Sequence, residues 1–380
     1  MIFILIFTLL LLIPDGYIWW VFVRPAGTVA NILWWLPAAI ITCTAVAWLA
    51  GFYADWLMKL FFVILLCVAT PKLVFMVFSL AGSGLGQWLP SVCVPLHWTG
   101  AVMAVAMSCC CIYGFTYGVR RLEIREAVVE SPRLPEAFDG YRIVHISDLH
   151  VGTFGNDTSF LERLVASVNE QHADAVFFTG DLVNSSPEEL LPDIEVLASL
   201  SARDGVWSVL GNHDYCTYAH YDTADGAARS CAKVVATERA MGWHILLNEH
   251  ATVERDGAEI VIAGVENDGR PPYPSRGDLA RAKRGVADTL FTVLLSHDPT
   301  HWRRKVLPSA AADVTFSGHT HAMQFEVFGF SPSSWSYPEW GGLYREGDRT
   351  LCVSKGAGGT APFRLGAWPE ITVVTLRRVE

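Results

Sequence analysis

At 380 residues the chain has room for two or three domains, and its formal net charge is −10. An acidic polypeptide of this kind repels a phosphate backbone, which excludes non-specific nucleic-acid binding as a function. The nine cysteines are odd in number and scattered, so they form no disulfide framework and point to a reducing compartment.

The charge is unevenly placed. Up to residue 119 the only charged side chains are Asp15, Arg24, Asp55, Lys59 and Lys72. Four apolar stretches fill this part, Ile2 to Val23, Ala30 to Phe52, Leu57 to Leu80 and Trp98 to Gly118. Each has about the 20 residues needed to cross a bilayer. Residues 1–119 are therefore expected to be a polytopic transmembrane anchor of about four helices. No basic segment precedes the first stretch, which argues against a cleaved signal peptide. Asp15 and Lys72 fall inside apolar stretches, and neither has an obvious partner in sequence, so both are expected to snorkel, pair or mark a helix end rather than to be functional. The run Cys109 to Cys111 is expected to be ordinary helix packing.

Arg120, Arg121 and Arg125 follow the fourth stretch and Lys59 lies between the second and third, while the loop from Ala81 to His97 has no Lys or Arg. Arg24 is the exception. The positive-inside rule then places both termini in the cytoplasm.

Residues 120–139 contain a charged strand and a proline-marked loop, and are expected to link the anchor to a polar domain at 140–380. In that domain strand-like runs alternate with helix-like ones at Ser159 to Gln171 and Pro187 to Leu200. A hairpin is expected at Ala251 to Gly264, turning at Asp256 and Gly257, with later strands at Thr350 to Ser354 and Ile371 to Leu376. Alternating α and β followed by β-rich sequence implies packed sheets with helices outside.

Five polar blocks end strand-like runs in this domain. They are Asp148-Leu149-His150, Gly180-Asp181, Gly211-Asn212-His213-Asp214, Ser296-His297-Asp298 and Gly318-His319-Thr320-His321. Strands would thus deliver carboxylate oxygen, amide oxygen and imidazole nitrogen to one sheet edge. That mixture suits Mn, Fe or Zn. A lone Asp148 or His297 would more often be a turn or core residue, but five blocks in order are not a chance arrangement. Two such ions about 3.5–4 Å apart can clamp a phosphoryl group and activate water. The glycines at 180, 211 and 318 are expected to let the backbone turn sharply beside the ions.

The ordered blocks resemble those of the calcineurin-like metallophosphoesterases, over essentially all of residues 140–380. The ending from Lys355 to Leu376 is similar to a membrane-anchored bacterial branch that includes some UDP-2,3-diacylglucosamine pyrophosphatases. The resemblance implies an α/β fold, a four-layer α/β/β/α sandwich. It implies one ion on Asp148, His150, Asp181 and His321, and a second on Asp181, Asn212, His297 and His319. It further implies that His213 protonates the leaving oxygen or stabilises charge on the phosphoryl group, oriented by Asp214. A hydroxide bridging the ions would attack phosphorus of a phosphodiester or pyrophosphate. Members often carry glycines after the last block, where this chain has Ala322 and Met323.

Other residues are left with weaker expectations. Asp298 could orient His297 or begin the turn before Pro299. His145, in mid-strand, is expected to be a packed core residue. His172, His220, His244, His250 and His301 have no motif context. Arg364 could meet a substrate phosphate or form a surface ion pair. The aromatic stretch Phe325 to Trp340 could be an interfacial lip for acyl chains, although a strand and packed loop is the preferred reading. Membrane tethering favours a lipid-linked phosphate as substrate. The competing functions are a catalytically inactive membrane receptor or scaffold that binds a phosphate ligand, and a transporter, for which only Asp15 and Lys72 are available.

Overall fold

The computed structural model describes residues 11–50, 52 and 55–380, which divide into two compact units, one up to Tyr117 and one from Gly118 to Glu380. In the first unit, three helical spans among the described residues are long and apolar enough to cross a membrane: Thr28–Leu49, Trp56–Leu85 and Pro90–Arg120. Residues 2–10 of the first expected stretch lie outside the described residues. Its described part is helical and runs into a π-helical turn at Trp19–Val23.

Of the outcomes expected for Asp15 and Lys72, the structure shows pairing. Lys72 Nζ forms an ion pair with the carboxylate of Asp15, and both are largely buried. The ammonium also stands 4.0 Å from the centre of the Trp34 ring, whose indole N–H donates to the Asp15 carbonyl at 3.1 Å. In apolar surroundings an unpaired charge is costly. Each charge here is neutralised by the other.

The second unit contains twelve strands: β1 (Glu123–Ser131), β2 (Arg142–Ile146), β3 (Ala175–Phe178), β4 (Val206–Ser208), β5 (His244–Ile245), β6 (Glu249–Arg255), β7 (Ala258–Gly264), β8 (Phe291–Leu295), β9 (Val314–Ser317), β10 (Gly342–Glu346), β11 (Arg349–Val353) and β12 (Glu370–Arg378). They form two six-stranded sheets, in the orders β1-β12-β2-β3-β4-β5 and β10-β11-β9-β8-β7-β6. The stretch 120–139, expected as a linker, is thus partly built into the domain, because β1 pairs in parallel with β12 from Glu123 to Ser131. Its alternating pattern of shielded and exposed residues is that of an edge strand.

Side-chain alternation along the central strands fixes the layers. Ile143, Ala175, Phe177, Val293, Leu295 and Phe316 point between the sheets into one core. Their neighbours Val144, Ile146, Val176 and Phe178 point outward, onto Phe160, Leu161 and Leu164 of helix Ser159–Asn169. On the far side Val261, Ala263 and Leu294 pack against Trp302 and Val306. Strands covered on both faces read as continuous apolar runs, and the result is the four-layer α/β/β/α sandwich.

One expected helix is broken. Pro187 to Leu200 forms a 3-10 turn, Pro187–Leu190, and a separate short helix, Ile194–Ala198. Pro192 between them has no N–H to continue the helical ladder. The hairpin at β6 and β7 turns at Asp256 and Gly257, both in the left-handed region, at φ 51° and 78°.

Candidate metal centre

β2, β3 and β4 run parallel in one sheet, as do β8 and β9 in the other. Their carboxyl ends deliver the five polar blocks, which is where open α/β sheets hold ligands. Asp148, His150, Asp181 and His321 offer ligand atoms that all lie within 4.8 Å of one another, and Asp181, His297 and His319 do the same. Asp181 belongs to both groups. Its Oδ2 is 3.6 Å from His150 Nε2 and 3.2 Å from His297 Nε2, while His321 Nε2 is 3.2 Å from Asp148 Oδ1.

The backbone is bent to achieve this. Asp148, His150, Asp181, His319 and His321 all have left-handed φ values, between 45° and 73°. Such conformations are costly for side chains with a Cβ and cluster where function requires them. Ala322 and Met323 continue the left-handed run at φ 50° and 48°, where glycine would be unstrained. Of the three flanking glycines only Gly180 has a positive φ, at 92°. The other two serve close approach instead of a sharp turn. A Cβ on Gly211 would meet Asp181 Oδ1 at 2.2 Å, and one on Gly318 would meet Ser147 Oγ at 2.0 Å.

Hydrogen bonds fix which nitrogen of each ring faces inward. His297 Nδ1–H donates to the Thr179 carbonyl at 2.7 Å, and His150 Nδ1–H to Asn184 Oδ1 at 2.9 Å. The Nε2 atoms of both rings are thereby aimed at Asp181. His319 is reversed: its Nε2 is hydrogen-bonded to the Tyr337 hydroxyl at 2.9 Å, and its Nδ1 lies 3.2 Å from His297 Nε2. Holding the outer nitrogen in this way orients a metal-binding imidazole.

Two inward atoms, His150 Nε2 and Asn212 Oδ1, are buried without a hydrogen-bond partner. Buried polar groups are rarely left so unless something else coordinates them. Burial, reinforced by neighbouring His213, lowers His150 to about 3. Burial, reinforced by His297, lowers His319 to about 4, and burial with His150 and Arg364 nearby holds His321 well below its ordinary value. These imidazoles are neutral and keep free lone pairs. Burial also disfavours a charge on His297, but the carboxylates of Asp181 and Asp148 outweigh it and raise the group to about 10. The pocket thus calls for positive charge at its centre, and hard carboxylate oxygen beside imidazole nitrogen fits a divalent cation.

Several expected roles change. The Asp214 carboxylate does not touch the His213 ring. It is fully buried and accepts the backbone N–H groups of Asp181, Leu182 and Gly211, each at 2.8 Å. It ties two site loops together, and the His213 ring is oriented by Asn184, whose carbonyl accepts from Nδ1–H at 2.6 Å. Asp298 Oδ1 accepts from the Thr300 N–H at 2.8 Å and so begins the turn, while its Oδ2 lies 3.8 Å from His319, not His297. Arg364 meets neither solvent nor a surface acid. It is 0% exposed and donates to the carbonyls of Gly358, Ala367 and Lys355. His145 is a core residue, as expected, with Nε2 at 2.8 Å from Thr179 Oγ1.

Sequence reading missed Asn184, Tyr337 and Tyr218. The Tyr218 ring lies 4.3 Å from that of His213, and its hydroxyl accepts from Asn212 Nδ2 at 3.0 Å. Asn184 follows Asp181 by only three residues, and that proximity was the available signal.

Comparison with known proteins agrees with this geometry. Residues 141–323 match the family model described as calcineurin-like phosphoesterase. The chain is 30% identical over 291 residues to the uncharacterized metallophosphoesterase YkuE of Bacillus subtilis, covering 73% of this chain and 94% of that protein. It is 31% identical over 279 residues to a transmembrane protein with metallophosphoesterase domain of Danio rerio, covering 70% of this chain and 60% of the fish protein. The UDP-2,3-diacylglucosamine pyrophosphatase LpxG of Chlamydia muridarum is 27% identical over 294 residues, or 64% of this chain and 86% of that one. Among solved structures, the phosphopantetheinyl hydrolase of Mycobacterium tuberculosis aligns at 15% identity with a TM-score of 0.38, covering 59% of this chain and 91% of that chain. With a family model over the strands that build the pocket and a relative aligned over almost its full length, the chain belongs to the calcineurin-like metallophosphoesterase family of hydrolases.

Proposed function

We propose that this protein is a two-metal phosphoester hydrolase working at a membrane. One divalent ion is held by Asp148, His150, Asp181 and His321, and the other by Asp181, Asn212, His297 and His319. Manganese, iron or zinc suits these donors. When bound, the ions supply charge that draws phosphoryl oxygens and make water a better nucleophile. The observation that carries this reading is the sharing of Asp181 between two ligand groups, together with unpartnered His150 Nε2 and Asn212 Oδ1.

In this reading His213, as its imidazolium, gives the Nε2 proton to the leaving oxygen. With its Nδ1 engaged by Asn184, the ring presents Nε2, and its backbone N–H fixes Asp181 Oδ1 at 2.8 Å. Asp214 contributes by holding the loops, as a positioning residue.

The proposed substrate is a phosphodiester or pyrophosphate carried by a lipid. Three apolar spans and the name of the chlamydial relative support that class. We further assign residues 1–119 as the anchor and 140–380, with β1, as the catalytic domain. We assign the protein to a bacterial inner membrane, and the distribution of Arg and Lys supports a cytoplasmic side for the catalytic domain. The acidity of the polar part disfavours nucleic acid as a partner.

The test is hydrolysis by the purified full-length protein with manganese, against UDP-diacylglucosamine, phospholipids and cyclic nucleotides. Cleavage of a membrane-held diester or pyrophosphate is expected, and preference for cyclic nucleotides would overturn the lipid assignment. His213→Ala should lower turnover at least about a hundredfold without altering the circular dichroism spectrum. Tight binding of a phosphate ligand without turnover would make the protein a receptor instead.

A further inference from the structure

The segment between His321 and Tyr337 is tied to the metal centre at both ends. His321 is one of the clustered residues, and Tyr337 is hydrogen-bonded to His319. Between them the chain projects a short hairpin. Val327 and Phe330 exchange backbone hydrogen bonds at 2.9 and 3.0 Å, and the two residues of the turn, Phe328 and Gly329, have φ of 51° and 76°. Two left-handed residues in a two-residue loop make a type I′ turn, which favours Asn, Asp or Gly at the first position. Here that position holds a phenylalanine.

The side chains at this tip face water. Phe328 is 104% exposed, Trp335 79%, Met323 50% and Phe330 47%, with Phe330 and Trp335 in ring contact at 5.8 Å. The base of the stretch is the packed loop preferred from sequence, with Ser331, Ser333 and Glu339 buried, but its tip is not packed. No charged residue from Met323 to Pro338 is exposed, and Glu326 is paired with Lys355. Large aromatics in water, on a strained turn and without charge, are unfavourable unless an apolar phase receives them. The base of the hairpin is fixed: Glu326 N–H donates to the Leu365 carbonyl at 2.9 Å, and Ser331 Oγ to the Ala322 carbonyl at 2.5 Å.

We propose that the tip from Val327 to Trp335 inserts into the interfacial region of a lipid bilayer and presents the metal centre to phosphoesters held there. This rests on the reading of the centre as a phosphoester hydrolase. The bilayer is the occupant because the same chain carries three membrane-spanning candidates and this unit begins at Gly118, directly after the last residue of the apolar unit. Trp and Phe favour the membrane interface. An otherwise acidic domain is repelled by anionic headgroups, so a charge-free tip is where approach costs least.

The experiment uses the full chain in lipid nanodiscs with manganese. The substrates are soluble bis-p-nitrophenyl phosphate and hexadecyl p-nitrophenyl phosphate dissolved in the disc. Phe328→Asn suits the turn and protects folding, and it is combined with Trp335→Ser. The double variant should lose at least about tenfold of its turnover of the membrane-held ester and keep its turnover of the soluble one. Equal loss on both substrates, or none on either, overturns the proposal. Hydrogen exchange over residues 325–336 gives a reading independent of activity: protection in nanodiscs relative to amphipol is expected, and equal exchange overturns insertion. A variant that instead separates dimers into monomers assigns the tip to self-association. Hydrolysis of neither ester by the unaltered protein, with the tip protected, defeats the hydrolase reading and spares insertion.

Discussion

The apolar unit and the phosphoesterase unit both bury charged groups, but they leave them in different states. In the first, Asp15 and Lys72 close on each other with Trp34 over the ammonium. In the second, two carboxylates and four imidazoles face one another with His150 Nε2 and Asn212 Oδ1 unpaired. A closed pair is complete as it stands and holds helices together. An open set of lone pairs is a binding site, because its desolvation is repaid only when a cation arrives.

Asp181 belongs to both groups of clustered residues, so its replacement is expected to do the most damage. Asp181→Asn should reduce hydrolysis of bis-p-nitrophenyl phosphate on the order of a thousandfold. Metal analysis of the purified protein should show depleted ions, and retention of both with full activity would contradict the shared role. Next comes the closed pair. Lys72→Met alone strands the Asp15 carboxylate and should destabilise the apolar unit by about 3–5 kcal/mol, whereas Asp15→Asn with Lys72→Met should recover most of that. Unfolding in mixed micelles measures both, and soluble-substrate hydrolysis should not change. Equal losses in the single and double variants would show that the pair does not act as a unit.

A buried carboxylate without a partner should cost less than either of these. Asp193 is 1% exposed and neither carboxylate oxygen has a hydrogen-bond partner. Burial, with Glu162 nearby, raises it to about 6. A folded-state value above the unfolded one means that the folded protein is favoured when this group is protonated. That contribution is complete below the ordinary carboxylate value and is lost as pH rises through about 6. Asp193→Asn should therefore stabilise the protein by roughly 1–2 kcal/mol at pH 7.5, and the gain should vanish at pH 4. Thermal unfolding at the two pH values checks both sign and size.

The clustering of Asp148, His150, Asp181, His297, His319 and His321 was legible because each block ends a strand, and a parallel sheet aligns strand ends without further information. What escaped were relations between residues far apart in the chain. Asp15 and Lys72 are 57 positions apart, and no local pattern joins them. Arg364 reads as a surface cation until the turn from Lys355 to Gly358 wraps its guanidinium with carbonyls. Asp214 sits beside His213 in sequence, yet its carboxylate points back to the loop of Asp181. Adjacency in the chain suggested a side-chain pair where the backbone N–H groups of two loops made a better acceptor site. The exposed hairpin was considered in sequence as an interfacial lip but ranked second, since burial is the usual fate of aromatics.

The order β1-β12-β2 has a consequence for biogenesis. β1 and β2 are close in sequence but acquire their common neighbour only after β12 has left the ribosome, when nearly all of the domain has been translated. Until then both strands keep an unpaired edge, and a nascent chain already tethered to its membrane must be shielded from aggregation. Shortening the β12 segment should therefore trap the protein for proteolysis even though all five polar blocks have been made.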